Sequence, residues 1–482
     1  MRIDLKGWKA KKETRISRNF CCFSLAFLCA IVACTPLSGF AAAQSSGFGH
    51  PLVPDLIADP SITEIDGTFY LNATTDGAGG GLSTSGLPVT WESKDFLNWS
   101  FNGSIFPGDF NTKYWAPSGL IYRDKHYYLF PTLDGKITAV VADTPDGPFH
   151  ALDGKDIASG TGWRPFPIRI GKPIDADVFV DDDNTPYMVW AQRGFGKLKS
   201  DLSGFEGGQT LIQTKRDGYS EGPMLFKRNG IYYYLYTLEG AENYKYAYMM
   251  SRTSPLGPWE APEQDIIART DYKTGVFGPG HGCVFNPKGS EQWYFVYLEY
   301  GRGGTNRQVS ANKMYFNPDG TIQPVQLNKE GVGAIRPALS SDKPNLALHK
   351  SAIASSIRPD YRVPHRADPQ LDRVENYAPN NALDGSNGTR WLAADGNTEA
   401  WYRLDLGEIR NIQRTELYFV KPTGGQAYRL EFSLDGKSWH PYGGHENVIV
   451  QSPHTDVKSA RARYLKLTIL QGVPGLWEFK VF

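Results

Sequence analysis

The 482-residue chain is poor in cysteine: it has five, and four of them (Cys21, Cys22, Cys29 and Cys34) lie in the first 34 residues. Beyond these only Cys283 remains, so no intramolecular disulfide can staple the rest of the chain and packing must hold it together. Long apolar runs are also scarce. The one run of note, Phe20–Cys34, has 15 residues, short of the roughly 20 that span a bilayer, so no transmembrane anchor is expected. An excess of one charge sign is missing as well. The 51 Lys+Arg balance the 51 Asp+Glu, and residues 1–43 hold 7 of the former and 2 of the latter, leaving 44 against 49, a net of −5. Nothing basic enough to grip a polyanion follows residue 43, which argues against nucleic-acid binding.

The first residues are ordered in kind. The basic stretch "KGWKAKKETRISR" precedes the apolar run and "FAAAQ" follows it. This reads as a signal peptide over residues 1–43, cleaved before Gln44 with Ala41 and Ala43 at the cleavage site, and it implies a secreted or periplasmic protein. A second reading takes "IVAC" as a lipoprotein box with Cys34 as a lipid anchor.

Aromatic residues are plentiful (26 Tyr, 25 Phe, 12 Trp), and 51 Gly and 32 Pro punctuate the chain. That composition favours many short strands, an all-β chain. One phrase recurs: a polar or small start, a short apolar strand, a turn, then a Tyr/Phe-rich strand. The copies are "DPSITEIDGTFYLNAT", "WAPSGLIYRDKHYYLFPT", "DADVFVDDDNTPYMVWA", "EGPMLFKRNGIYYYLYT" and "GHGCVFNPKGSEQWYFVY", starting at Asp59, Trp115, Asp175, Glu221 and Gly280. Each is a hairpin, and their spacing leaves room for two more strands, the size of a propeller blade. Five copies predict a five-bladed β-propeller over residues 44–335. "TPDGPFH" after the second copy and "TSPLGPWE" after the fourth repeat at one phase.

In a propeller the innermost strands begin near the axis, so Asp59, Trp115, Asp175, Glu221 and His281 are expected to converge on one face. Each carboxylate alone has a plain reading as a turn or strand-start residue. Three at a common phase suit the division of labour in glycoside hydrolysis, where one group donates a proton, another activates water, and a third tunes the donor.

At these residues the chain resembles glycoside hydrolase family 43, through "ADPSI", "YWAPSG", "PIDADVFVDDD", "SEGPML" and "GPGHGCVF". The resemblance implies an inverting hydrolase with Asp59 as general base, Glu221 as general acid and Asp175 as the residue that tunes the acid. Asp177 is the rival for that third role. The resemblance further implies that His281 holds a hydrated calcium ion in the central channel and that Arg307 reaches the site. Trp115 and Phe277 are candidates for a sugar-stacking wall, with core packing as the alternative for Phe277. The expected substrates are side chains of plant-type polysaccharides. Exo-acting α-L-arabinofuranosidase is the first reading, with β-xylosidase and β-galactofuranosidase on the same scaffold next. A non-catalytic carbohydrate-binding protein is the reading from another class.

"RPALSSDKPN" marks a linker at residues 336–344, and a β-sandwich of jelly-roll type is expected over residues 345–482. Its strands, among them "NNALDGSNGTRW" and "GLWEFKVF", resemble the coagulation factor 5/8 type C (discoidin, galactose-binding-like) domain. That resemblance implies a structural calcium site at Asp384, Thr389 and Glu478. The polar insert Arg358–Tyr377 reads as a sugar-binding loop, an interdomain contact or a solvated excursion, the last by default. The protein is expected to act as a monomer.

Overall fold

The computed structural model describes residues 51–482, except 77–85, 108–109, 111, 159–160, 301–306, 338–343, 364–372 and 397–398. The leader, with Cys34, and most of the linker lie outside the described residues. No α-helix occurs among the described residues, and no helix there is long and apolar enough to cross a membrane.

Each copy of the repeated phrase forms the first two strands of an antiparallel sheet. The clearest is the fourth, with strands Ser220–Arg228, Ile231–Leu238, Lys245–Ser251 and Ile266–Arg269 in sequential order. Its opening turn is Asn229-Gly230, with φ of +49° and +74°, and Asp66-Gly67 in the first copy has +47° and +78°. Two successive left-handed residues give a turn whose twist matches the strands, which is why Asn-Gly and Asp-Gly appear there. The duplicated phrases form matching turns, with Gly147 N–H donating to Thr144 O and Gly257 N–H to Ser254 O.

The five sheets are joined through their hydrophobic faces. Val140 and Leu129 pack with Tyr114 between the first and second blades, Met188 with Phe130 between the second and third, and Tyr234 with Val189 between the third and fourth. Tyr246 and Phe295 fill the space between the fourth and fifth. A further cluster places Ile57, Phe69 and Trp91 of the first blade against Phe285, Tyr294 and Val309 of the fifth. The ring therefore closes on itself, and Leu52 N–H donates to Val309 O (2.8 Å) at that seam. The chain is a five-bladed propeller followed by a sandwich.

In the C-terminal part the 19-residue strand Trp401–Phe419 does double duty. Its first half pairs with Ser351–Ala354 and its second half with Gly475–Val481, with register shifts between Asp405 and Arg410 and between Ile412 and Arg414. Such bulges bend a strand, so one segment feeds both layers around a core that includes Trp391, Tyr402, Leu417 and Phe479.

The described residues, propeller and sandwich together, belong to one compact unit. Gln451–Ser452 pairs with Phe101–Asn102 of the first blade, and Asn387 Nδ2 donates to Pro51 O (3.0 Å). Leu56 sits in an apolar cluster with Tyr377, Tyr418 and Trp477. At the C-terminal end of the insert Tyr377 buries its ring in an interdomain contact, while Tyr361 and Val374 remain exposed.

Candidate active site

The inner strands share a backbone device. Asp59, Ala116, Asp175, Gly222 and His281 all have positive φ (+53°, +36°, +60°, +51° and +32°). Four of these are not glycine, and each left-handed residue of that kind costs on the order of 1–3 kcal/mol, strain typically found at functional sites. Register shifts accompany it between Ala58 and Ser61, Glu221 and Met224, and Gly280 and Cys283. Each inner strand kinks at the same point and turns one residue toward the axis.

This corrects the expected phase. Trp115 and Glu221 do not occupy the position of Asp59, Asp175 and His281; they stand one residue earlier, and Ala116 and Gly222 fill the equivalent places. The channel at the axis is lined by Asp59, Asp175 and His281 with the residues that follow them, and by neither Glu221 nor Trp115. The candidate residues therefore form two tiers, one in the channel wall and one at its rim.

Threonines on the second strands brace the kinks. Thr74 Oγ1 accepts from Ala116 N–H and donates to Asp59 Oδ2, both at 2.7 Å. Thr132 Oγ1 accepts from Asp175 N–H (3.0 Å) and Thr237 Oγ1 from His281 N–H (2.6 Å). Each threonine lies on one blade and holds the next, so blade-to-blade packing sets the carboxylate positions. Sequence reasoning passed over them, although three of the five quoted phrases end in Thr.

Asp59 is buried in a cationic setting. His281 Nδ1 lies 3.2 Å and Arg307 Nη1 3.5 Å from its Oδ1. Burial works against ionisation, but Arg307, His281 and the Thr74 hydroxyl outweigh it and hold Asp59 below the usual carboxylate range. Arg307 is itself fixed by Asp76, through hydrogen bonds of 2.8 Å to Oδ2 and 2.7 Å to Oδ1. Asp76 gave no sequence signal beyond a turn-like "TTDG".

Asp175 has the opposite character. Burial pushes it up to about 7; His281 opposes the rise, while Glu221 and Asp59 add to it. Asp177 is also pushed up by burial, to about 6, but what opposes it is backbone hydrogen bonding, and none of the site carboxylates acts on it. It accepts from Leu225 N–H (3.2 Å) deeper along the strand. Asp175 is thus the one in electrostatic contact with Glu221.

Glu221 is half-buried and accepts from two phenols, Tyr219 OH (3.0 Å) at Oε2 and Tyr244 OH at Oε1. Both tyrosines escaped the sequence reading. Trp115 is half-buried at the rim, with the Lys113 ammonium 5.5 Å from its ring centroid. Phe277 is 1% exposed, with its ring edge-on to Tyr272 at 5.7 Å. It packs as core, so the stacking-wall expectation fails for it; the exposed ring there is Tyr272. Arg307 reaches the site as expected, but it is buried and engaged with Asp76 and Asp59, so it positions the aspartate and offers no open face to a sugar.

Asp384, Thr389 and Glu478 come together in the sandwich. Thr389 Oγ1 donates to Asp384 Oδ2 (2.7 Å), and Gly385 N–H donates to Glu478 Oε1 (2.9 Å). Glu478 Oε2 is buried without a hydrogen-bond partner. Burial pushes Glu478 up to about 8; Lys480 opposes this and Asp384 adds to it. Two apposed carboxylates, one with an unsatisfied buried oxygen, suit a hard cation such as calcium. In the propeller, His281 Nδ1 is engaged with Asp59 Oδ1 (3.2 Å), and Asp59, Asp175 and Glu221 outweigh burial to raise the imidazole above its ordinary range. No cluster of three or more His, Cys, Asp or Glu side chains able to hold a metal occurs among the described residues.

Comparison with known proteins places the two halves of the chain in known families. The profile described as Glycosyl hydrolases family 43 matches residues 48–322, and that described as F5/8 type C domain matches residues 369–479. The chain is 28% identical over 338 residues to a β-D-galactofuranosidase of Aspergillus niger, covering 65% of this chain and 95% of that one. It is 26% identical over 377 residues to an arabinoxylan arabinofuranohydrolase of Paenibacillus polymyxa, covering 65% of this chain and 56% of that one. A solved structure described as a glycoside hydrolase is 49% identical and superposes with a TM-score of 0.86 over 91% of this chain and 100% of that one.

Proposed function

The chain belongs to glycoside hydrolase family 43 and is a glycoside hydrolase, and from that premise we propose that it is an exo-acting α-L-arabinofuranosidase that works by inversion. The observation that carries the proposal is the electrostatic contrast at the channel mouth. Asp59 is held ionised by Arg307 and His281, whereas Asp175 is pushed toward its protonated form beside Glu221. An ionised carboxylate can take a proton from water, and Glu221 can pass one to the leaving oxygen. Asp175 is the neighbouring acidic group, itself pushed toward its protonated form by burial with Glu221 and Asp59 adding. Inversion requires room for a water between base and anomeric carbon, which sets the two carboxyls roughly 6.5–9.5 Å apart.

The first reading of the sugar is arabinofuranose, in line with the arabinoxylan-active relative. Galactofuranose is the second, because of the galactofuranosidase relative; both sugars present a five-membered ring, and they differ in the exocyclic carbons. Calcium completes the proposal, at Asp384, Thr389 and Glu478 and, through water, at His281. It would supply charge balance and rigidity and no step of the reaction. Residues 1–43 are taken as a leader of a secreted protein, which the mass of the mature N-terminus checks against lipidation at Cys34.

The test is product analysis on arabinan, arabinoxylan and galactofuranose-containing glycans, with the anomer followed by NMR as it is released. Arabinose released first as the inverted anomer, and lost with Glu221→Gln, is the expected result. A retained anomer, or undiminished release by Glu221→Gln, would overturn the mechanism.

A further inference from the structure

A cleft of about 310 Å³ lies between the propeller and the sandwich, and nothing in the acid/base chemistry uses it. Its propeller wall includes Glu299, Gln308 and Lys329, and its sandwich wall includes Val374, Asn376 and Arg390. Its volume falls at the lower end of the range of small-ligand sites, about 300–1,000 Å³.

The lining has a definite chemistry. Its charges cancel in pairs: Lys329 Nζ stands 3.5 Å from Glu299 Oε1, and Arg390 Nη2 stands 3.8 Å from Glu375 Oε2. An ionic ligand would find no net field there. Side-chain amides and hydroxyls make up much of the remainder, which an apolar ligand would desolvate at a cost without replacing their hydrogen bonds. Val374, 59% exposed, adds an apolar surface beside them. Amides, paired charges and a small apolar face together fit a neutral polyhydroxylated ligand.

The cleft has no lining residue in common with the channel, but the two are linked through neighbouring residues of the fifth blade. Glu299 pairs with Pro279, two residues before His281, so it lies at the catalytic end of the fifth blade. The next residue, Tyr300, packs its ring 5.6 Å from that of Tyr244, whose hydroxyl binds Glu221. Gln308 follows directly on Arg307, the residue that holds Asp59. Both catalytic candidates are thus one side chain away from a residue adjacent to the cleft. The sandwich side is equally fixed, because Gln308 Nε2 donates to Asn387 O (3.1 Å) and Asn387 to Pro51.

We propose that this cleft is a distal subsite that holds the uncleaved part of the glycan while its terminal sugar occupies the channel mouth. The sandwich domain then serves catalysis as half of that subsite, and not only as a separate anchoring module. The inference rests on the glycosidase reading, and its test separates the two.

The experiment measures kcat/KM of the full chain on an aryl furanoside and on a branched oligosaccharide carrying the same terminal sugar, for wild type, Val374→Trp and Lys329→Ala. Val374→Trp fills the cleft without removing a polar partner, and Lys329→Ala removes the amine paired with Glu299, so the urea midpoints of both variants are read beside the kinetics to separate a folding defect from a lost subsite. Wild type is expected to favour the oligosaccharide by about tenfold or more. Each variant should lose most of that preference through KM and keep the aryl furanoside value within about twofold. Equal losses on both substrates, or none on either, would overturn the subsite. If wild type cleaves neither substrate, the glycosidase reading fails by itself. The cleft is then judged by calorimetric titration of the same oligosaccharide: binding weakened by both variants supports it, and binding unchanged by them refutes it.

Discussion

Arg307 holds Asp76 through two parallel hydrogen bonds, at 2.7 and 2.8 Å, and this fixed guanidinium is what keeps the neighbouring Asp59 ionised inside the propeller. A paired charge of this kind is geometrically specific, since the planar fork matches a carboxylate at both oxygens.

Two substitutions at this cluster should act in opposite senses. Arg307→Met removes the cation, so the Asp59 carboxyl titrates higher and the acid limb of the kcat/KM profile moves to higher pH. Asp76→Asn frees the guanidinium to close on Asp59, so the acid limb moves down while kcat falls. Profiles that shift the same way in both variants would contradict the proposed clamp.

The threonine braces give a second pair. Thr74→Val leaves the buried Ala116 N–H without an acceptor and deprives Asp59 of a donor; it should destabilise the fold by about 1–3 kcal/mol in urea titrations and also shift the acid limb upward. Thr237→Val, which strands the His281 N–H, should destabilise by a similar amount and leave that limb nearer its wild-type position. Urea midpoints and pH profiles of the two variants check this together.

In the sandwich, the buried His454 has Nδ1 3.0 Å from His445 Nε2. Burial, with His445 adding to it, pushes His454 down to about 3. Its folded value lies below its unfolded one, so the stability it preserves is complete above about pH 6.5 and is lost as pH falls toward 3. At pH 5 the loss is about 2 kcal/mol. The denaturation midpoint of His454→Phe should therefore vary less between pH 7 and 5 than that of the wild type. Identical slopes would show that another group controls the acid sensitivity.

Chelation probes the second carboxylate pair. Removing calcium should lower the thermal midpoint by several degrees, and excess calcium should restore it by mass action. Glu478→Gln should abolish that response while keeping the buried side chain's shape. A midpoint insensitive to chelator in the wild type would remove the metal from the account.

Much of this was legible in the chain. The number of blades followed from five copies of a hairpin phrase, because alternation and turn residues are local and survive in a single sequence. The chemistry followed from three acidic residues at the starts of those copies. The register did not follow. Aligning the copies on Asp59, Trp115, Asp175 and Glu221 placed two of them one residue out, since the match was made on polar or aromatic type and the equivalent places in the second and fourth copies are held by Ala116 and Gly222. Aligning instead on Pro60, Pro117, Ala176, Pro223 and Gly282 gives the register the fold adopts. Phe277 was a candidate wall residue with core packing as the alternative, because an aromatic ring can face a ligand or a neighbour equally well by sequence; here it is buried against Tyr272.

The sequence alone determined that this is an all-β chain with a repeated propeller, a sandwich after it, and acidic groups suited to glycoside hydrolysis. Those properties are periodic or compositional, and neighbours along the chain carry them. The tertiary structure decided which tier each side chain occupies, which cation serves which carboxylate, and that propeller and sandwich enclose a common cleft. Arg307 and Asp76 stand 231 residues apart, and contacts of that separation arise only when the blades close around their axis.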